Sequence, residues 1–128
     1  MFLHALSFEE RHALMALATD LVHADKVLEN EEEARLVALR RKLALSADAK
    51  IPVDPLSVVP LPFRSRQSRI KVLAELLILA NADDHIDERE LTMIRETSRK
   101  FGIEDSVQVR LEAWVVQYQR LHREVLDL

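Results

Sequence analysis

The stretch Ala82-Asp83-Asp84-His85-Ile86-Asp87-Glu88-Arg89-Glu90 decides the fold. A counterpart stands 58 residues upstream: Ala24-Asp25-Lys26-Val27-Leu28-Glu29-Asn30-Glu31-Glu32. Each stretch follows an apolar run and precedes another, so each reads as an acidic loop between two helices. Asp87 with Glu90 three residues later is a capping-box pattern, in which the first residue accepts from the first-turn amides and the second reaches back. In the upstream copy, either Asn30 with Glu33 or Glu29 with Glu32 serves the same purpose. Leu91, Ile94 and Phe101 form the apolar face of the helix that Asp87 opens. Gly102 stands where a left-handed residue ends it.

Working outward, the same offset continues. Sliding the chain by 58 residues lays Ser7–Leu45 on Ser65–Ile103 without a gap. The identical pairs are Ser7/Ser65, Arg11/Arg69, Ala16/Ala74, Leu21/Leu79, Ala24/Ala82, Asp25/Asp83, Glu32/Glu90, Arg41/Arg99 and Lys42/Lys100. Ser7 with Glu10 opens a first helix whose face is Leu14, Leu17, Ala18 and Leu21. A second helix turns Leu36, Leu39 and Leu43 inward. The third spans about Arg66 to Ala82. Its segment Val72–Ala80 is apolar nearly all round, which predicts the central, most buried helix. Between the units, residues 46–63 hold all four prolines (Pro52, Pro55, Pro60, Pro62) and read as a strap. Asp105 opens a last helix to residue 128. The expected fold is therefore all-α: one domain of two helical hairpins, residues 7–45 and 65–103, related by a pseudo-two-fold axis, plus a C-terminal helix at 105–128.

Composition narrows function. Without cysteine there is no disulfide scaffold, thiolate zinc site or thiol nucleophile. A single glycine excludes Gly-rich phosphate loops and disfavours a hairpin-rich β fold. A net charge of −4 and 5% aromatic residues argue against nucleic acid as partner. Val72–Ala80, interrupted by Glu75, falls far short of the about 20 apolar residues that span a bilayer. Membrane insertion is therefore not expected. The start of the chain lacks a basic segment and a cleavage site, so cytoplasmic location is the expectation.

The doubled loop resembles the signature of TerB-like domains, the tellurite-resistance TerB superfamily: a helix ending in Ala-Asp-Gly, then x-Ile-Asp-x-x-Glu, then a second helix. The resemblance covers nearly the whole chain. Asp84 and Lys26 depart from it, standing where the family carries glycine, and Glu29 replaces the capping aspartate in the first copy. It implies an all-α bundle, an acidic face for which divalent-metal binding is proposed, and a role in stress response or beside other domains. It does not imply an enzyme.

With Glu33, which follows the first stretch, ten of the 22 carboxylates fall in the two loops. The sharper reading is a Ca²⁺ or Mg²⁺ site built from Asp25, Glu29, Glu32, Asp83, Asp87 and Glu90, because hard cations require several oxygens. The plainer reading is helix capping, and the positive helix end that favours a carboxylate disfavours a cation. An EF-hand is excluded: Leu79 stands where that loop needs its first aspartate and Asp84 where it needs glycine. His85 between Asp83 and Asp87 reads as a surface histidine before it reads as a ligand. Arg64, Arg66, Arg69 and Lys71 form a basic cluster that either binds an anion or is solvated surface.

The last helix carries Val107, Leu111, Trp114, Tyr118, Leu121 and Val125 at 4-3-4-3-4 spacing. Such a seam packs either on its own bundle or on a protein partner or second copy, with Trp114, Tyr118 and Leu121 as the anchors. Two functions follow. One is a non-enzymatic, stress-associated binding or scaffold module with a metal-binding acidic face. The other is an interaction or dimerisation module working through the C-terminal helix, its acidic loops purely structural.

Overall fold

A computed structural model describes residues 6–23, 30–46, 50–51, 62–82 and 85–128. Among these residues there are five helices: α1 (Phe8–Val22), α2 (Asn30–Lys42), α3 (Arg66–Ala80), α4 (Glu88–Lys100) and α5 (Asp105–Leu126). Two short strands, β1 (Asn81–Ala82) and β2 (His85–Ile86), pair antiparallel, Asn81 with Ile86 and Ala82 with His85. The fold is all-α, as the sequence predicts. The third helix stops at Ala80, short of the expected Ala82, because the chain turns into extended backbone at Asn81 (φ −82°, ψ 94°) and pairs with β2.

The helices begin and end where their punctuation stands. Ser7 Oγ accepts from Glu10 N–H at 3.1 Å while Glu10 Oε1 accepts from Ser7 N–H at 3.0 Å, a complete capping box. Ser65 Oγ accepts from Ser68 N–H at 3.0 Å and opens α3. α4 ends at Phe101, and Gly102 follows at φ 73°. There Gly102 N–H donates to Arg99 O and Ile103 N–H to Ser98 O, both at 3.0 Å, closing a Schellman motif. α2 ends the same way 58 residues earlier: Ala44 sits at φ 55°, its N–H donates to Arg41 O, and Leu45 N–H donates to Arg40 O.

The offset extends to one tertiary hydrogen bond in each hairpin. Arg11 Nη1 donates to Leu43 O at 2.9 Å, and Arg69 Nη1 to Phe101 O at 2.8 Å. Both carbonyls are at helix C-caps, where backbone acceptors lack intrahelical partners and the helix dipole favours a cation. Arg69 also donates through Nε to Phe63 O at 2.7 Å, tying the end of the Pro-rich segment to α3.

The core draws on both hairpins. Leu14 and Leu21 of α1, Leu43, Phe63, Val72, Leu73 and Leu77 of α3, Ile94 of α4 and Phe101 are essentially fully buried. Phe63 and Phe101 meet edge to face at 5.5 Å. The apolar run of α3 is buried as expected, from Val72 through Leu77. It shares the centre, however, with α1, which is buried from Ala13 through Ala18. The alanines and Met15 of α1 read as an ordinary helix interior, and their burial on all sides comes from tertiary packing. Ile51 packs against this core, and Pro52, Pro55 and Pro60 lie outside the described residues.

Candidate functional site: the acidic hairpin and the outer flank of the last helix

The six carboxylates expected to hold a cation fall into two groups. Asp25, Glu29 and Asp83 lie outside the described residues, and for Glu32 only the backbone position on α2 is described. Asp87 and Glu90 are both placed. Asp87 is exposed and is the N-cap of α4, its Oδ1 accepting from Arg89 N–H at 2.9 Å. Glu90, one turn on, is buried at 6% exposure and engaged. Among the described residues no group of three His, Asp or Glu side chains is arranged to hold a metal ion.

The basic cluster at the start of α3 is dispersed. Arg69 turns inward to two carbonyls. Arg66 pairs with Glu104 at 2.9 Å, and this bond holds the Glu104 carboxyl below its ordinary pKa. Lys71 faces α5. The buried charge in α3, Glu75, is engaged and borders a cavity of 160 Å³ with Arg35 and Lys42 of α2. Arg35 Nη1 donates to Leu79 O at 3.0 Å across that boundary.

α5 divides its seam. Val107 and Leu111 pack against the core, but the deepest apolar contact of the helix is Val115, at 0% exposure. Gln108 is buried beside it and donates to Glu112, while Glu112 receives Arg95 of α4 in a two-pronged bond at 2.8 and 3.1 Å. Gln119 Nε2 donates to Ile78 O at 3.2 Å. The bundle-facing stripe therefore runs through residues 108, 111, 115 and 119, rotated from the heptad seam toward α4.

That rotation leaves the rest of the seam on the flank. Trp114 is 37% exposed, Leu121 63% and Val125 65%. Trp114 stacks on Tyr118 (centroids 5.4 Å, planes 16° apart), and Tyr118 on His122 (6.4 Å, 18°). From residue 120 onward every residue of the chain is exposed. Beside this stack lies a groove of about 680 Å³ between α3 and α5, lined by Gln67, Ile70, Lys71, Ala74, Leu111 and Trp114. Sequence reasoning marked the α5 wall by its spacing. It missed the α3 wall, because Gln67, Ile70 and Ala74 carry no signal of their own until α5 lies beside them.

No family model, curated protein or solved structure matches the chain. No helix among the described residues is long and apolar enough to cross a membrane.

Proposed function

We propose that this chain is a non-enzymatic, TerB-like binding or scaffold module of the stress-associated kind, and that its working surface is the outer flank of α5. The observation that carries this reading is the Trp114–Tyr118–His122 stack with Leu121 and Val125 exposed beside it. Contiguous exposed apolar surface is costly in water, and a rigid aromatic pair delivers contact area at little loss of side-chain entropy. The TerB-like assignment is supported by the doubled acidic motif and by the recurrence of caps and hydrogen bonds at its 58-residue offset.

Site-specific crosslinking tests the surface. A photoreactive residue at position 121 or 118 is expected to capture a discrete protein. One at Val109, exposed at 60% but on the α4 side, is not. Capture at 121 should disappear with Trp114→Ala. Equal capture at 109 and 121 contradicts the reading.

A second reading keeps the acidic loops as a Ca²⁺ or Mg²⁺ face. What favours it is the recurrence of Asp25 and Glu32 as Asp83 and Glu90 in both loops. It stands second because Asp87 caps α4, whose positive end opposes a cation beside it.

A further inference from the structure

The groove between α3 and α5 has a charged lip as well as an apolar floor. Ile70 and Ala74 stand one turn apart on α3, and Leu111 and Trp114 one turn apart on α5. Tyr118, Leu121 and Val125 prolong the α5 wall, so the apolar track from Leu111 to Val125 is about 21 Å long at the ordinary helical rise. A track of that length, with contacts every three or four residues, matches the i, i+3, i+4 and i+7 anchors of a helix laid between two others.

Lys71 lies in the α3 wall, half-buried. Arg110 stands one turn before Trp114 on α5, exposed. Among the described residues no carboxylate lines the groove. Glu104 is engaged by Arg66 and Glu112 by Arg95, and exposed Glu124 stands only at the far end of the track, between Leu121 and Val125. Among the described residues neither Lys71 nor Arg110 has an ion-pair partner. In a chain of net charge −4, Lys71 in the wall of an apolar groove, with exposed Arg110 one turn before Trp114 on α5, is a local reversal of sign.

Resting on the reading that the α5 flank binds a partner, we propose that this groove receives an acidic amphipathic helix of another protein. Its apolar face lies along Ile70, Leu111 and Trp114, and its carboxylates meet Lys71 and Arg110. Complementary charge fixes the register and raises the encounter rate, and a basic helix is rejected at the same lip.

Trp114 is the chain's one tryptophan, so its fluorescence reads occupancy of the groove directly. The probes are two tryptophan-free synthetic helices of about 15 residues, long enough to be helical when bound. They share one leucine face and differ only in carrying glutamate or lysine on the other. The glutamate peptide is expected to shift Trp114 emission saturably at low salt and to bind about tenfold or more tightly than the lysine peptide. Salt should narrow the gap. Lys71→Glu with Arg110→Glu should reverse the order while leaving urea unfolding unchanged. Equal binding of both peptides, unaffected by the double substitution, overturns the acidic partner but leaves the α5 interaction surface standing. Binding of neither peptide by a monomeric chain overturns both. Self-association that shifts Trp114 and is abolished by Leu121→Glu assigns the groove to a second copy, which overturns the acidic partner and again keeps the surface.

Discussion

Arg69 Nη1 donates to the carbonyl of Phe101 at 2.8 Å, and in doing so closes the second helical hairpin from the start of α3 to the end of α4. The first hairpin holds the same bond from Arg11 to Leu43, between positions 58 residues earlier. Each arginine sits in the first turn of one helix and each acceptor at the C-cap of the next, so the bond fixes the angle at which the two helices meet.

Removing such a bond leaves a C-cap carbonyl unpaired, and hydrogen bonds to charged groups are worth about 1.5–3 kcal/mol. Arg69→Met is expected to lower unfolding free energy by about 2–3 kcal/mol in urea melts, near the top of that range because Phe63 O loses its donor too. Arg11→Met should cost less, since its Nε has no partner. Arg69→Lys should not rescue, because one ammonium does not reproduce the two-pronged fork.

The two helix C-termini differ at the residue that takes the left-handed position. Both adopt the left-handed conformation, Gly102 at φ 73° and Ala44 at φ 55°. An L-residue with a Cβ is strained there by about 1–2 kcal/mol. Ala44→Gly is therefore expected to stabilise the chain by up to about 1 kcal/mol, after the entropy of glycine in the unfolded state is set against the relief. Gly102→Ala should destabilise it by about 1 kcal/mol. A Cβ at Gly102 meets nothing within 4 Å, so that cost is backbone strain alone. Thermal melts of the two variants should move in opposite directions.

These termini also mark what was legible in the sequence. Ser7, Asp87 and Gly102 announce their helix ends because only a few residue types satisfy orphan amides or a positive φ. Ala44 announces nothing, and the matching end of α2 is visible only through the 58-residue offset. The pairing of Asn81 and Ala82 with His85 and Ile86 was hidden, since the apolar periodicity of α3 continues past Ala80. On α5 the spacing identified the seam but not its phase. Buried Gln108 breaks the apolar pattern, and Val115, not Trp114, enters the core, with Glu112 held to Arg95 of α4 on the same side of the helix. Of the candidate metal ligands, Asp87 and Glu90 are placed as the sequence positions them, at the start of α4.

Glu104 gives a pH signature. Its bond to Arg66 favours the carboxylate and lowers its pKa from the ordinary glutamate value. The folded state therefore gains from this pair above the unfolded glutamate pKa, and the gain is lost as pH falls through the lowered folded value. In an NMR titration Glu104 is expected to protonate at lower pH than free glutamate. Arg66→Gln should move its midpoint upward.

Cation binding and capping at the acidic hairpin separate in one set of melts. In metal-free buffer Asp87→Ala should destabilise α4 by about 1 kcal/mol, the ordinary cost of losing an N-cap. The cation reading adds that millimolar Ca²⁺ raises the melting temperature by several degrees, more than Mg²⁺ does, because the larger ion tolerates irregular oxygen cages. Asp83→Asn with Glu90→Gln should remove that rise. A Ca²⁺ effect no larger than an ionic-strength control eliminates the cation face.

The central claim is that the outer flank of α5 is spare surface, built for a partner rather than for the bundle. Urea unfolding of Leu121→Glu with Val125→Glu, beside Val115→Ala, measures this directly. The account predicts that the double charge substitution leaves unfolding free energy within about 0.5 kcal/mol of the parent, as surface changes do. Val115→Ala, which empties a fully buried site, should cost about 1–3 kcal/mol. A loss from the double variant as large as that from Val115→Ala would contradict the claim and make the flank part of the fold.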